Sequence, residues 1–441
     1  MNTDTVLGSA QVETAGTGWS FSTCLLFRWS LIYFSLFCLC TQILGGLLSI
    51  PNVDIPEPST LPPIRPIVEW MARHLFGIQQ QLVVTGSGSG DKIFDWVLDA
   101  FLLVLALAGT ALWSVLDRRR ASYPALSKWF RVFLRFSLGS QMLTYGFVKL
   151  FPMQMPFPYL TTLLEPYGHF SPMGVLWSFI GASPAYERLC GSAEILAGVL
   201  LLIPGLTLIG ALVCAGVAMQ IFLLNMTYDV PVKNLSFHLF LMACFLIAPD
   251  ASRLIQFFVL DRAVNPSRQP PLFVGPRANR IAFWAQIVFA AWLVGSITYG
   301  TWTSWPKWGG GRPKSPLYGI WNVDEVSIDG HVRSPLLNDY GRWRRLIFES
   351  PEWISYQRMN DSFGYYNTSI DEKKQTITFS QDDDKNWKGS LHYQRTAPDR
   401  LVLDGQLGGH PTRMQLQRED RNKLMLVSRG FHWVQEQPFN R

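Results

Sequence analysis

A chain of 441 residues in which 48% of side chains are hydrophobic and only 16% carry charge is built for an apolar environment as much as for water. Its formal net charge of +6 comes from cations that flank apolar runs, not from one basic stripe, which excludes a nucleic-acid footprint and fits loop charge that orients membrane helices. All six cysteines precede residue 245, mostly in apolar segments, so the C-terminal region has no disulfide and Cys38-x-Cys40 is no zinc site; only Cys190 stands as a candidate reactive thiol.

Residues 1–26 are polar and weakly patterned and are expected to form a loose cytoplasmic tail. The apolar run Leu25–Ile50 is long enough to span, since about 20 residues cross a hydrocarbon core of ~30 Å. Its polar lead and its length argue for a retained helix over a cleaved signal peptide. Between residues 51 and 93 comes a Pro-rich, then Gly/Ser-rich loop. It contains one amphipathic piece, Ile67–Ile78, whose apolar face is predicted to be Trp70, Met71, Leu75 and Ile78. The run Thr85-Gly-Ser-Gly-Ser-Gly-Asp91 lacks the lysine and setting of a phosphate-binding loop and reads as a flexible connection.

A second span, Ile93–Leu116, ends at the basic cluster Asp117-Arg-Arg-Arg120, which places that side in the cytoplasm. A third runs outward over Trp129–Phe151 and is followed by a long outer loop, residues 152–187. Spans four and five, Arg188–Ile203 and Leu206–Met226, form a hairpin turned by Pro204-Gly205, with small residues along both faces that allow close approach. A sixth, Leu235–Ala248, returns inward to a loop carrying Arg253, Arg262, Arg268, Arg277 and Arg280, and a seventh, Ile281–Tyr299, exits. Every basic loop falls on one side, so the expected arrangement is about seven spans in a cytoplasmic (inner) membrane, N-terminus inside and C-terminus outside, in the periplasm or extracellular space.

Residues 302–317 mix interfacial tryptophans with chain breakers and read as a belt anchor and linker. From Tyr318 the pattern changes to short alternating runs: Ile320–Ile328, Trp343–Phe348, Ile354–Arg358, Gly364–Ser369, Thr376–Ser380, Gly389–Tyr393, Leu401–Leu403, Thr412–Leu416 and Leu424–Ser428. Separated by turn residues, they predict an all-β up-and-down barrel, either filled or holding one small ligand. The tail Ser428–Arg441 breaks the strand period and is expected to strap onto the barrel or the membrane domain through Arg429, His432 and Trp433. The domain reading is therefore a tail (1–26), an N-terminal helical hairpin (27–122), a four-helix membrane core (123–262), a loop with a seventh helix (263–301), a linker (302–317) and an outer barrel (318–441).

The core is unusual for its polar content. At 1.5 Å per helical residue, Glu194 lies roughly 9 Å from the outer helix end, Gln220 at similar depth, Asn225 at the rim, and Lys149 and His238 about a turn in. Gln141, Tyr145 and Lys149 are spaced by four and share a helix face. Charge at membrane depth is costly and is usually kept for a site, a pairing or a pathway. The expected site is therefore an outward-facing polar pocket with Glu194, Lys149 and His238 as chemical groups. Gln141, Tyr145, Gln220, Asn225, Asp229 and Lys233 are expected to line it, although Lys149 and His238 also fit simple snorkelling and Asp229 and Lys233 a solvated turn.

Two resemblances follow from these residues. Gly319-Ile-Trp321 and the meander after it resemble a lipocalin-type barrel, in which a Gly-x-Trp closes one end. The sequences Arg135-x-x-x-Gly139, Tyr145-Gly146-x-x-Lys149 and Gly191-x-x-Glu194-x-x-x-Gly198 resemble the DoxX family of small membrane proteins over residues 123–262. That resemblance implies a quinone- or sulfur/thiol-linked redox component, with a quinone as cofactor and a redox partner subunit. The chain shows no haem histidine pair, no flavin motif, no Cys-x-x-Cys and no metal motif. The competing expectation is a non-enzymatic binding, assembly or transport factor whose barrel or helical core takes a lipid, a small molecule or a partner protein. A carboxylase-like membrane enzyme with an outer β domain is a third reading, on architecture alone.

Overall fold

The computed structural model describes residues 18–440 except 52, 267–270 and 385, so most of the expected N-terminal tail and Arg268 lie outside the described residues. Twelve helices are present among them: α1 (Phe21–Cys40), α2 (Ile43–Leu48), α3 (Ile64–His74), α4 (Ile93–Leu116), α5 (Pro124–Leu150), α6 (Pro172–Gly181), α7 (Pro184–Leu202), α8 (Thr207–Thr227), α9 (Lys233–Ile247), α10 (Ala251–Phe258), α11 (Pro276–Trp308) and α12 (Met425–Ser428). Seven of these, α1, α4, α5, α7, α8, α9 and α11, stand where hydropathy placed seven spans. Five segments among the described residues are long and apolar enough to cross a membrane: α1, α4, α8, α9 continued through α10, and α11. The other two are too polar by composition, α5 carrying Lys128, Arg131, Arg135 and Lys149, and α7 carrying Glu187, Arg188 and Glu194.

The chain divides into two compact units, the first comprising residues 1–144, 194–225 and 231–296, the second 145–193, 226–230 and 297–441. This division cuts through α5, α7 and α11 and so differs from the linear domains expected from the sequence.

In the first unit, α1 packs on α4. The hairpin is tied by Arg28, whose buried guanidinium donates to the Tyr123 hydroxyl (Nε, 3.0 Å), to Ser114 Oγ and to the Asp117 carbonyl. A Cβ on Gly198 would lie 3.0 Å from the Gly139 carbonyl and 2.9 Å from Leu143 Cγ, so the α5–α7 crossing is set by backbone proximity. Arg135 sits beside it and donates from Nε to the Leu201 carbonyl and from Nη2 to the Leu202 carbonyl, satisfying the last carbonyls of α7.

Three expectations change here. The first span ends at Cys40, and the rest of its apolar run folds separately as α2 before Ser49 turns through φ 42°. Helix α3 buries Val68, Met71 and Ala72 and leaves Trp70 and Leu75 exposed, because it packs on α4 with its i, i+3, i+4 row. The Gly/Ser run ends in a docked segment: Gly90 N–H donates to the Pro231 carbonyl at 2.8 Å.

The second unit contains the barrel. Strands β1 (Gly319–Ile328), β2 (His331–Val332), β3 (Trp343–Phe348), β4 (Trp353–Arg358), β5 (Phe363–Asp371), β6 (Thr376–Ser380), β7 (Lys388–Ala397), β8 (Arg400–Leu407) and β9 (His410–Arg418) are all antiparallel. β1 pairs with both β3 and β9 (Gly319↔Phe348, Trp321↔Arg418), which closes an eight-stranded barrel with β2 as a short extra strand. The β1–β2 turn uses Asp329 and Gly330, both at positive φ as a two-residue hairpin requires. The interior is filled: Trp321, Leu346, Phe348, Ile377, Leu391, Leu401 and Leu403 are each at most 1% exposed. A ring stack runs through Trp343, Tyr356, Tyr366 and Trp387 with centroid spacings of 4.7, 5.1 and 4.5 Å. The barrel is therefore a packed module and not a ligand cup. Trp321 Nε1 donates to the Leu317 carbonyl just before β1 at 2.9 Å, which fixes the buried indole of the Gly-x-Trp.

Of the nine expected strands, Leu424–Ser428 folds instead as the short helix α12, because the Asp420-led turn starts a helical segment after β9. The linker is also shorter than expected, since α11 continues through Pro306 to Trp308.

Candidate functional site

The polar groups of the first unit gather where α4 and α9 begin. Asp91 lies just before α4 and caps α9 from outside: Oδ2 accepts the Lys233 N–H and Oδ1 the Asn234 N–H, each at 2.9 Å. The Lys233 ammonium lies 3.7 Å from the same carboxylate. An anion at this end satisfies two orphan donors and opposes the helix dipole. On α4, Asp95 closes a capping box with Lys92, and the Lys92 ammonium approaches it at 2.9 Å.

One turn further in, Asp99 Oδ2 accepts from Asn234 Nδ2 at 2.5 Å. The Asn234 backbone carbonyl accepts from His238 Nδ1 at 2.9 Å, and His238 Nε2 meets the Tyr33 hydroxyl of α1 at 2.8 Å. With Nδ1–H donating to a carbonyl, Nε2 is the acceptor and the phenol the donor. The imidazole lies on the Phe37 ring, centroids 3.9 Å apart and planes 10° from parallel. Asn225 Nδ2 closes the cluster, donating to the Val232 carbonyl and Ser236 Oγ at 3.1 Å each. One buried polar atom, Asn234 Oδ1, has no hydrogen-bond partner among the described residues. The arrangement is a carboxylate, amide, imidazole and phenol in hydrogen-bonded order, nearly closed to solvent except at its acidic end.

Of the residues singled out from the sequence, this cluster contains His238, Asn225 and Lys233. His238 does not snorkel; both ring nitrogens are held inside the unit. Gln141 is buried with its amide against Gly46 of α2, and Glu194 is buried at 2% exposure. Gln220 is exposed. The residues that sequence reasoning passed over are Tyr33, Asp91, Asp95, Asp99 and Asn234. The three aspartates recur every four residues, a spacing that marks one helix face.

In the second unit, Lys149 lies 5.8 Å from the Tyr145 ring centroid, as the shared face requires, and its charge acts on Glu187. Glu187 is fully buried and takes the Met155 N–H at 2.9 Å, pinning the loop after α5 to the start of α7. Asp229 is exposed at a turn, with φ 52°. The loop of residues 151–171 holds the barrel: Leu160 packs with Ile320 and Ile347, and its N–H donates to Glu349 Oε2 at 2.6 Å. Burial pushes the Glu349 carboxyl above the usual carboxylate range, against the lowering effect of that N–H and of Arg312, Arg421 and Lys314. Arg312 lies over the Tyr159 ring and Arg421 over Phe157. The expected strap residues do not make this junction. Arg429 contacts His432 within the tail, and Trp433 is 88% exposed. No group of three or more His, Cys, Asp or Glu placed to hold a metal occurs among the described residues.

A helical region rich in long apolar helices, ending in a closed eight-stranded antiparallel barrel, defines the structural class. Over 140 residues the chain is 32% identical to the uncharacterized protein YwoB of Bacillus subtilis (strain 168), covering 86% of that protein and 32% of this chain. The chain belongs to the family of that protein. No family model and no solved structure matches it.

Proposed function

We propose that the chain is an integral membrane protein, N-terminus inside and barrel outside, and that its helical unit is a DoxX-like redox component that exchanges protons with a quinone headgroup. The observation that carries this reading is the ordered chain Asp99–Asn234–His238–Tyr33, reached from α4, α9 and α1. Three titratable groups, Asp99, His238 and Tyr33, held close together around Asn234 where apolar helices begin are expensive to keep, and such groups usually mark a site or a proton pathway.

The unpartnered Asn234 Oδ1 gives the cofactor a test of fit, since it offers an acceptor to one further hydroxyl beside the Asp99 carboxylate. Asn234 and Asp99 would therefore hold a quinol hydroxyl. A bound quinone supplies two-electron chemistry, with electrons passing to a partner subunit. The protein's part is to orient and to move protons: Asp99 accepts a proton at Oδ, and His238 holds the Tyr33 phenol in place through Nε2. The three aspartates lead from this point toward the start of α4.

The test is organic extraction of the purified protein followed by quantitation of bound quinone. Wild type should retain it, and Asp99→Asn and Asn234→Leu should each reduce retention at least tenfold with expression unchanged. Absence of quinone from wild type, or equal content in all three, refutes the reading. The competing reading, a non-enzymatic binding or assembly factor, draws on the filled barrel, which engages the outer loop by its surface. It gains whatever support the extraction denies the first.

A further inference from the structure

The loop after α5, in the second unit, lines an open cavity of about 370 Å³ that is separate from the Asp99–His238 cluster. Its walls are methionine, proline and aromatic side chains, and the only charged residue on its lining is Glu165. Two polar atoms of lining residues, Gln154 Oε1 and Trp177 Nε1, are buried and have no hydrogen-bond partner among the described residues. Buried polar groups are nearly always paired, so one acceptor and one donor left over in a single apolar cavity define a complementary ligand. That ligand brings a hydroxyl for Gln154 and a carbonyl for Trp177.

Charge narrows the class further. With Glu165 and no Lys, Arg or His on the lining, a phosphate or carboxylate would meet a like charge there, and the adjacent cation Arg312 is held over the Tyr159 ring. The volume sits at the small end of the ~300–1,000 Å³ typical of ligand pockets, enough for a headgroup and the start of its chains. Phe179, next in sequence to the lining residue Ser178, and Tyr186 form an exposed apolar pair, rings 5.7 Å apart and 62% and 43% exposed. We propose that the cavity binds the uncharged headgroup of an acylglycerol. The free hydroxyl donates to Gln154 Oε1, an ester carbonyl accepts from Trp177 Nε1, and the chains leave over Phe179 and Tyr186. This proposal is independent of the redox reading.

The experiment uses the full chain in phosphatidylcholine nanodiscs and a photoactivatable diazirine analogue of dioctanoylglycerol, with crosslinks mapped by mass spectrometry. Labels should fall within residues 153–178. Unlabelled dioctanoylglycerol should compete at concentrations where dioctanoyl phosphatidate and the soluble ester glycerol monoacetate do not. Trp177→Phe keeps the ring without the N–H, Gln154→Leu keeps the bulk without the acceptor, and each should lower labelling about tenfold. Labels elsewhere, or undiminished labelling in both variants, overturn the site. Equal competition by the phosphatidate overturns the selection against anions, and equal competition by monoacetate overturns the lipid as its source. The competition arms use wild type, so they decide the matter even where a variant fails to fold.

Discussion

The position of α9 depends on a residue outside it, and Asp91→Ala tests that dependence. No side chain of α9's own N-cap, Val232, caps the helix; both carboxylate oxygens of Asp91 do so, each at 2.9 Å from a backbone N–H. Losing a single N-cap side chain costs typically ~1 kcal/mol, and a hydrogen bond to a charged group contributes roughly 1.5–3 kcal/mol. Two such bonds at one helix end, half-buried and aligned with the dipole, give an expected loss of about 3 kcal/mol. That is about a hundredfold in a local opening equilibrium. Asp91→Asn keeps one acceptor oxygen and should lose about half as much. Amide hydrogen exchange at Lys233 and Asn234, followed by mass spectrometry in nanodiscs, reads the effect directly. Because Asn234 and His238 ride on the same first turns, quinone retention should fall with protection. Exchange unchanged in Asp91→Ala would refute the argument that α9 is pinned from α4.

Three further outcomes are expected. A Cβ on Gly191 would come within 2.5 Å of the Gly146 carbonyl, a backbone atom that cannot swing aside, so Gly191→Ala should destabilise the protein by about 1–3 kcal/mol in detergent melts. Gly216→Ala, which meets nothing within 4 Å, should be neutral or stabilising, and equal effects of the two would contradict the close-approach reading. Burial raises the folded-state pKa of Glu349, so the folded form binds the proton more tightly than the unfolded chain. Its stabilising contribution is then fully present below the unfolded value and lost as pH rises through the folded one; Glu349→Gln should flatten that part of the melting-temperature profile, and a parallel profile would show that another group sets it. Deleting residues 429–441, where Phe431 and Trp433 are 82% and 88% exposed, should leave the barrel's unfolding midpoint within ~0.5 kcal/mol of wild type, measured by chemical denaturation.

Much of the architecture was legible because period and composition carry it. Eight of nine alternating runs became strands, since inward and outward positions alternate along each and the interior must be apolar: Ile377 and Phe379 face in, while Thr376, Thr378 and Ser380 face out. Leu424–Ser428 has the same apolar content and no such obligation, because β1 and β9 already close the barrel. Long apolar helices were legible as well, but α5 and α7 fail a purely apolar criterion; their Arg135 and Glu187 are spent on carbonyls and N–H groups of neighbouring segments. Hydropathy registers the charge of such a residue and not its partner.

The same distinction explains the site. Depth along a helix can be counted, so the sequence placed His238 a turn into its span beside Asn225 and Lys233. Which helix supplies the partner depends on packing, and α1 had no polar residue that looked misplaced: a tyrosine in an apolar helix is ordinary until its hydroxyl is seen 2.8 Å from an imidazole. Asp91, Asp95 and Asp99 are visible as a four-residue repeat, yet Asp91 ends a Gly/Ser run that reads as a flexible connection, while Asp95 and Asp99 fall inside the apolar span that follows. The repeat becomes meaningful only when α9 begins against it and two of its backbone N–H groups need an acceptor. A helix start without a capping side chain of its own is therefore a sequence signal that could have led to this site: Val232 offers no side-chain cap, and the carboxylate of Asp91, just before α4, supplies one.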